Sequence, residues 1–232
     1  MSQGEWETLL AKAYASLNED YKIFLEEDNN YFPSKEHYFN AFKTLPKDKV
    51  KYILFGQDPY PRRQSAGGYA FIDTNVKKLF SELGLSKEVN RATSLRNFIK
   101  MALLARGDLK EDTSQESIAK VDKTDLIDSI DALRENFEKN GVLLLNTALI
   151  FTDKKSSTKH IKAWQPFVQS LLSSLEADEP KLILFGTHAK DLKKKFSLEK
   201  FEIIEMEHPY NTTFIHNEKA LELFGSMNLL EK

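Results

Sequence analysis

The chain of 232 residues contains no cysteine. Disulfides, thiolate metal sites and a cysteine nucleophile are thereby excluded, and a cytoplasmic setting fits. Long apolar runs are also missing. Gly141 to Leu145 and Leu182 to Phe185 are too short to cross a bilayer, so no membrane association is expected. The first residues, Met1-Ser2-Gln3-Gly4-Glu5, are acidic and polar. No basic segment followed by an apolar stretch marks a secretory signal. Nor is there an excess of positive charge. The net charge of −2 argues against strong non-specific affinity for nucleic acid, although a local basic face remains open. There is no internal repeat, no low-complexity tract and no evident linker.

What is present is the balance of a soluble folded protein, 41% hydrophobic and 29% charged. The length suits one globular domain over residues 1–232 with a sizeable core. Apolar residues at helical spacing (Trp6, Leu9, Leu10, Ala13, Tyr14, Leu17) predict a helical segment over Trp6 to Leu25. Pro33-Ser34 reads as the start of another helix carrying Tyr38, Phe39 and Phe42 on one face. Four short strands then alternate with helices. The strands are Lys51 to Phe55, Gly141 to Leu145, Lys181 to Phe185 and Phe201 to Met206. The helices are Ser94 to Leu104, Thr124 to Glu138, Trp164 to Leu175 and Ala189 to Phe196. This grammar predicts an α/β fold: three α/β/α layers around a central, four-stranded, mainly parallel sheet. The polar segment from Arg106 to Val121 reads as a solvated loop or a small helical insertion.

Each strand ends in a cluster of special residues: Gly56-Gln57-Asp58-Pro59-Tyr60, Asn146-Thr147, Gly186-Thr187-His188 and Glu207-His208-Pro209. Ligands of parallel α/β sheets bind outside the carboxyl ends of the strands. The four clusters are therefore expected to converge on a site with a carboxylate, an amide, an imidazole and a tyrosine. Singly each residue has a plainer reading. Asp58 after a strand reads as a helix cap, Asn146 as a turn residue, His208 as a structural histidine and Phe71 as core. The basic pieces Lys154-Lys155 with Lys159 and Lys162, and Lys193-Lys194-Lys195, read as solvated surface. Arg62-Arg63 differs because it adjoins the first cluster.

These clusters resemble the uracil-DNA glycosylases of family 1. Gly56 to Tyr60 is similar to that family's water-activating motif, and Phe39-Asn40-Ala41-Phe42 to the segment before its first strand. Leu143 to Thr147 resembles the uracil-reading strand, Gly186-Thr187-His188-Ala189 the Gly-Ser-His-Ala turn, and His208-Pro209 the start of the DNA-intercalation loop. The motifs occur in the family's order and span roughly Tyr31 to Leu229.

The resemblance implies a monofunctional glycosylase that extrudes uracil from DNA and hydrolyses its N-glycosidic bond in base excision repair. Asp58 would stay ionised, stabilise the cationic sugar and orient the water. His208 would be neutral, with a depressed pKa, and donate to uracil O2. Gln57 would offer a backbone N–H near the same oxygen. Asn146 would read O4 and N3–H, a pattern that cytosine inverts. Phe71 would stack on the base, and Tyr60 would exclude the thymine methyl. Ser65, Ser94, Gly186, Thr187 and Thr213 would contact phosphates. No cofactor and no metal are implied. The expected partner is uracil-containing DNA, single- or double-stranded, and the expected state is a monomer.

Several positions depart from the family pattern. Pro61 stands where histidine is usual, and Ala92-Thr93 replaces the paired prolines before Ser94. The final loop reads His208-Pro209-Tyr210-Asn211-Thr212-Thr213 in place of His-Pro-Ser-Pro-Leu-Ser. Tyr210 displaces one phosphate-contacting serine, and Thr212 replaces the leucine that wedges into the base stack. Tyr210 and Phe214 are the aromatic candidates for that wedge. These changes touch DNA engagement and predict a preference for single strands. The competing readings are a non-catalytic DNA-binding adaptor that keeps the fold, a glycosylase for another base, and a nucleoside hydrolase.

Overall fold

A computed structural model of the chain describes residues 3–232. In chain order its helices are α1 (Gln3–Ala15), α2 (Glu19–Glu27), α3 (Asn40–Thr44), α4 (Lys87–Arg91), α5 (Thr93–Arg106), α6 (Gln115–Ala119), α7 (Ile130–Lys139), α8 (Ser157–Leu175), α9 (Gly186–Lys195) and α10 (Glu218–Ser226). Its strands are β1 (Tyr52–Gly56), β2 (Phe80–Ser81), β3 (Gly84–Leu85), β4 (Val142–Asn146), β5 (Lys181–Phe185) and β6 (Ile203–Met206). The chain forms two compact units. The first comprises the residues up to Asp73 together with Gly141–Ile204, and the second comprises Thr74–Asn140 and Glu205–Lys232. Among the described residues no helix is long and apolar enough to cross a membrane.

The predicted four-stranded sheet is present, in the order β4-β1-β5-β6. β1 runs parallel to both neighbours, with Gly56 opposite Asn146 and Leu54 opposite Ile183. All five residues of β4 are buried, as a parallel strand covered on both faces requires. Alternate residues Ile53, Phe55, Leu143, Leu145, Leu182 and Leu184 share one core with Trp6, Ala13 and Leu17 and with Trp164, Phe167 and Leu171 of α8. The intervening Leu54, Leu144 and Ile183 are buried as well.

The helices differ from expectation mainly at their ends. Trp6 to Leu25 is broken because Asn18 caps a second helix, its side chain accepting the Asp20 N–H at 2.9 Å. The helix expected from Pro33-Ser34 does not form there. Phe32 instead exchanges backbone hydrogen bonds with Phe151, a turn follows, and helix begins only at Asn40. α7 starts at Ile130, where Ser129 caps it, and not at Thr124. α8 begins seven residues before Trp164, because Ser157 to Ala163 is too polar to show a core-facing period. The hairpin of β2 and β3 was too short to leave a pattern. The segment from Arg106 to Val121 ends in α6, whose cap Ser114 accepts the Ser117 N–H at 3.2 Å.

Candidate functional site

The first unit brings three of the four strand-end clusters together around Gly56. Beyond β1 and β4, the Thr147 N–H donates to the Gly56 carbonyl and the Ala148 N–H to the Gln57 carbonyl, both at 3.0 Å. The Thr147 hydroxyl also donates to the Gln57 carbonyl, at 2.7 Å. His188 Nε2 lies 3.3 Å from the Gly56 carbonyl. These bonds fix the peptide that carries Asp58 against the end of the uracil-reading candidate, Asn146. A Cβ at position 56 would stand 2.2 Å from Asn146 Oδ1, so glycine is what leaves room for that amide. Asn146 is 5% exposed, and its amide has no hydrogen-bonding partner among the described residues.

Asp58 is half-buried. Burial pushes its carboxyl above the usual range, and the Ser157 hydroxyl, donating to Oδ2 at 2.5 Å, pulls it back. Tyr60 donates its hydroxyl to the Phe71 carbonyl at 3.1 Å, and burial raises its pKa. Phe71 holds φ at +67°, in the left-handed region where a non-glycine residue is strained by about 1–3 kcal/mol. The Tyr60 bond helps to hold that conformation. So does the neighbouring Ala70 N–H, which donates to the Leu144 carbonyl of β4 at 3.0 Å. Gln57 is exposed. Gly186 opens α9 at φ +55°, a conformation open to glycine at low cost, and Thr187 after it is exposed.

Two expectations near this motif change. Ser65 is completely buried and its hydroxyl has no partner, so it presents nothing to a phosphate. Arg62 pairs with buried Asp73 at 3.7 Å, and Arg63 lies over the Phe32 ring at 5.6 Å, so both side chains have protein partners.

The fourth cluster, with His208, belongs to the second unit. The Tyr210 N–H donates to His208 Nδ1 at 3.0 Å. A neutral ring must then carry its proton on Nε2, which leaves Nε2–H as a donor. Partial burial of the imidazole lowers its pKa below the ordinary value, although the residue as a whole stays exposed. The loop that follows is held by Asn97 of α5, which is 1% exposed. Its Nδ2 donates to the carbonyls of Pro209 at 2.8 Å and of Tyr210 and Asn211 at 3.3 Å. Glu207 Oε1 accepts from Asn211 Nδ2 at 3.0 Å and from the Thr213 hydroxyl at 2.5 Å. Thr212 and Thr213 are exposed, and Ser94 is half-buried in the first turn of α5.

The same loop separates the two wedge candidates. Tyr210 is 66% exposed. Phe214 is completely buried, stacked with Phe98 at 6.3 Å, and is therefore core and not a DNA contact. Ser157 and Asn97 were missed by sequence reasoning. The only available signals were a serine pair after two lysines and a single amide within an apolar helix. Among the described residues no group of three or more His, Asp or Glu side chains could hold a metal ion.

Residues 42–228 match the model of the uracil DNA glycosylase superfamily. The uracil-DNA glycosylase of Fusobacterium nucleatum is 30% identical over 214 residues, covering 88% of this chain and 80% of the relative. That of Campylobacter lari is 30% identical over 189 residues, covering 80% and 69%. The crystal structure of wild-type UNG from Nitratifractor salsuginis superposes with a TM-score of 0.96 at 55% identity, covering 98% of this chain and 92% of that one.

Proposed function

The chain belongs to the uracil DNA glycosylase superfamily, and from that premise we propose that it hydrolyses the N-glycosidic bond of uracil in DNA through Asp58 and His208. The observation that carries the reading is the buried Asn146 amide. A largely buried side chain whose amide finds no protein partner, yet is not sealed from solvent, calls for an explanation. A base offering O4 and N3–H supplies one, because the amide presents one donor and one acceptor in a plane. Cytosine offers the reverse pattern and leaves both unpaired, at about 1–3 kcal/mol for each lost partner. Phe71 supplies the stacking face, and Tyr60 fills the space where a thymine methyl would sit.

Cleavage develops positive charge on the sugar and negative charge on the departing uracil. Preorganised charges and dipoles aimed at those changes lower the barrier. Asp58, ionised, faces the cationic sugar and orients the water. His208, neutral, donates Nε2–H to uracil O2, a role supported by the acceptor bond at Nδ1. The Gln57 N–H adds a second dipole at that oxygen. Phosphates are held by Ser94, Gly186 and Thr187, joined by Thr213 only once its hydroxyl turns away from Glu207 Oε1, and Tyr210 enters the vacated stack. Thr212, small and polar, does not replace a leucine wedge, so single-stranded DNA, where extrusion costs less, is the favoured substrate. We take the enzyme to act as a monomer in the cytoplasm.

The test is base release from matched oligonucleotides carrying one uracil, cytosine or thymine, each single-stranded and duplex. Release of uracil alone, faster from the single strand, is expected. Equal release of cytosine would remove the role given to Asn146, and equal rates on both strand forms would remove the single-strand preference.

A further inference from the structure

We propose that Ser157 is a positioning residue for Asp58, fixing one carboxylate oxygen so that the other is left to orient the attacking water. The inference deepens the proposed glycosylase reading and rests on it. The two residues are 99 positions apart in the chain, and the Ser157 hydroxyl reaches Asp58 Oδ2 at 2.5 Å. Oδ1 has no hydrogen-bonding partner among the described residues. A carboxylate held at one oxygen cannot rotate freely about its Cβ–Cγ bond, so the second oxygen keeps one direction. Aiming a catalytic group in advance is worth large factors in rate, because a misplacement of about 1 Å can cost roughly 100-fold.

The serine is itself rigidly presented. It is the first residue of α8, a helix of 19 residues. The turn before it is organised by Asp153, whose Oδ1 accepts the N–H groups of Lys155 at 2.8 Å and Ser156 at 3.1 Å. Asp153 Oδ2 accepts the Ser156 hydroxyl at 3.0 Å. One residue earlier, Thr152 Oγ1 meets Nε2 of buried His160 at 2.9 Å, and the Nδ1 of that ring meets the Tyr21 hydroxyl at 2.7 Å. The loop from β4 to α8 is thus tied on both sides of Ser157. The start of α8 also carries the partial positive charge of a helix N-terminus, which favours an ionised carboxylate beside it. Burial and the Ser157 hydroxyl are the influences that shift Asp58. The exposed Lys154, Lys155 and Lys159 near the same helix start, and His188 on the Gly56 carbonyl, contribute none of that shift.

A fixed hydroxyl also has a direction of effect on titration. Removing it takes away the hydrogen bond that opposes burial, so the Asp58 pKa rises and the acid limb of activity moves to higher pH. The experiment compares wild type, Ser157→Ala and Ser157→Thr on a single-stranded uracil oligonucleotide, with kcat and KM measured across the acid range and a thermal melt of each protein. Ser157→Ala is expected to lower kcat roughly 10- to 100-fold, the range for losing a hydrogen bond to a charged group. KM should stay unchanged, the acid limb should move upward and the melt should stay close to wild type. Ser157→Thr should restore both kcat and the limb. Active wild type with an equally active Ser157→Ala variant and an unmoved acid limb overturns the inference alone. Loss confined to KM also overturns it, since that would make Ser157 a DNA contact. A wild type that releases no uracil overturns the glycosylase reading, and this inference with it.

Discussion

Replacing Gly56 by alanine should disable base reading while leaving the reacting groups chemically intact. The added Cβ would lie 2.2 Å from Asn146 Oδ1 and 3.0 Å from the Ala70 Cβ. An ordinary contact needs about 3.5 Å, so the amide must retreat by more than an ångström. It cannot do so freely, because Asn146 is buried and its backbone is paired with residue 56 itself. A displacement of that size costs about 100-fold in kcat/KM, equivalent to about 2.7 kcal/mol of transition-state stabilisation. Overpacking should in addition lower folding stability by about 1–3 kcal/mol. The assay is kcat/KM on a uracil oligonucleotide together with urea unfolding. A Gly56→Ala, Asn146→Ala double variant separates the two effects. Removing the amide should restore most of the stability but none of the activity. Wild-type kcat/KM in Gly56→Ala would refute the reasoning, as would a stability loss that the double variant fails to repair.

The remaining predictions concern the loop and the buried histidine. Tyr210→Ala should slow excision from duplex DNA roughly tenfold or more, given about 1–3 kcal/mol for an aromatic stacked on a base. Its effect on a single strand should be small, and equal loss on both forms would end the wedge assignment. Asn97→Ala removes the donor shared by three loop carbonyls and should slow duplex excision while the melt falls by no more than a few degrees; an unchanged duplex rate would show that the loop needs no such clamp. His160 is 3% exposed, and its pKa is lowered chiefly by burial. The unfolded chain therefore takes up the proton first, and stability should be lost as pH falls from about 6.5 towards the lower folded value, by up to about 1.4 kcal/mol per pH unit. Urea midpoints should show that slope in wild type and a shallower one in His160→Gln; parallel slopes would contradict it.

The sheet and the four strand-end clusters were legible because both leave short-range patterns. An apolar pentapeptide followed by glycine, asparagine or histidine marks a buried strand and its exit. Asp58, Tyr60 and Asn146 lie in those clusters, whereas Phe71 reads as core from the residues and became a site candidate only through the family resemblance. What escaped notice depends on distant packing. Ser157 acquires its meaning only from Asp58, 99 residues away. Asn97 looks like a lone amide on an apolar helix until Pro209 and its neighbours lie over it. Phe214 was misjudged for a related reason. It follows two threonines in a polar loop, but its ring stacks with Phe98, and burial decides against a role in DNA. Ser65 failed likewise, since only its exposure could have made it a phosphate contact. Helix starts were displaced wherever a capping side chain, Asn18 or Ser129, prevailed over the apolar period.

Alkaline cleavage of a single-stranded oligonucleotide after incubation with wild type, Asp58→Asn and His208→Ala tests the central claim most directly. Cutting at the uracil position only, greatly reduced in both variants while DNA binding and melting stay near wild type, is the predicted result. Cutting that persists undiminished in both variants would contradict the assignment of the two residues. No cutting by wild type that still binds DNA would contradict the enzyme itself, and leave a DNA-binding adaptor on this fold.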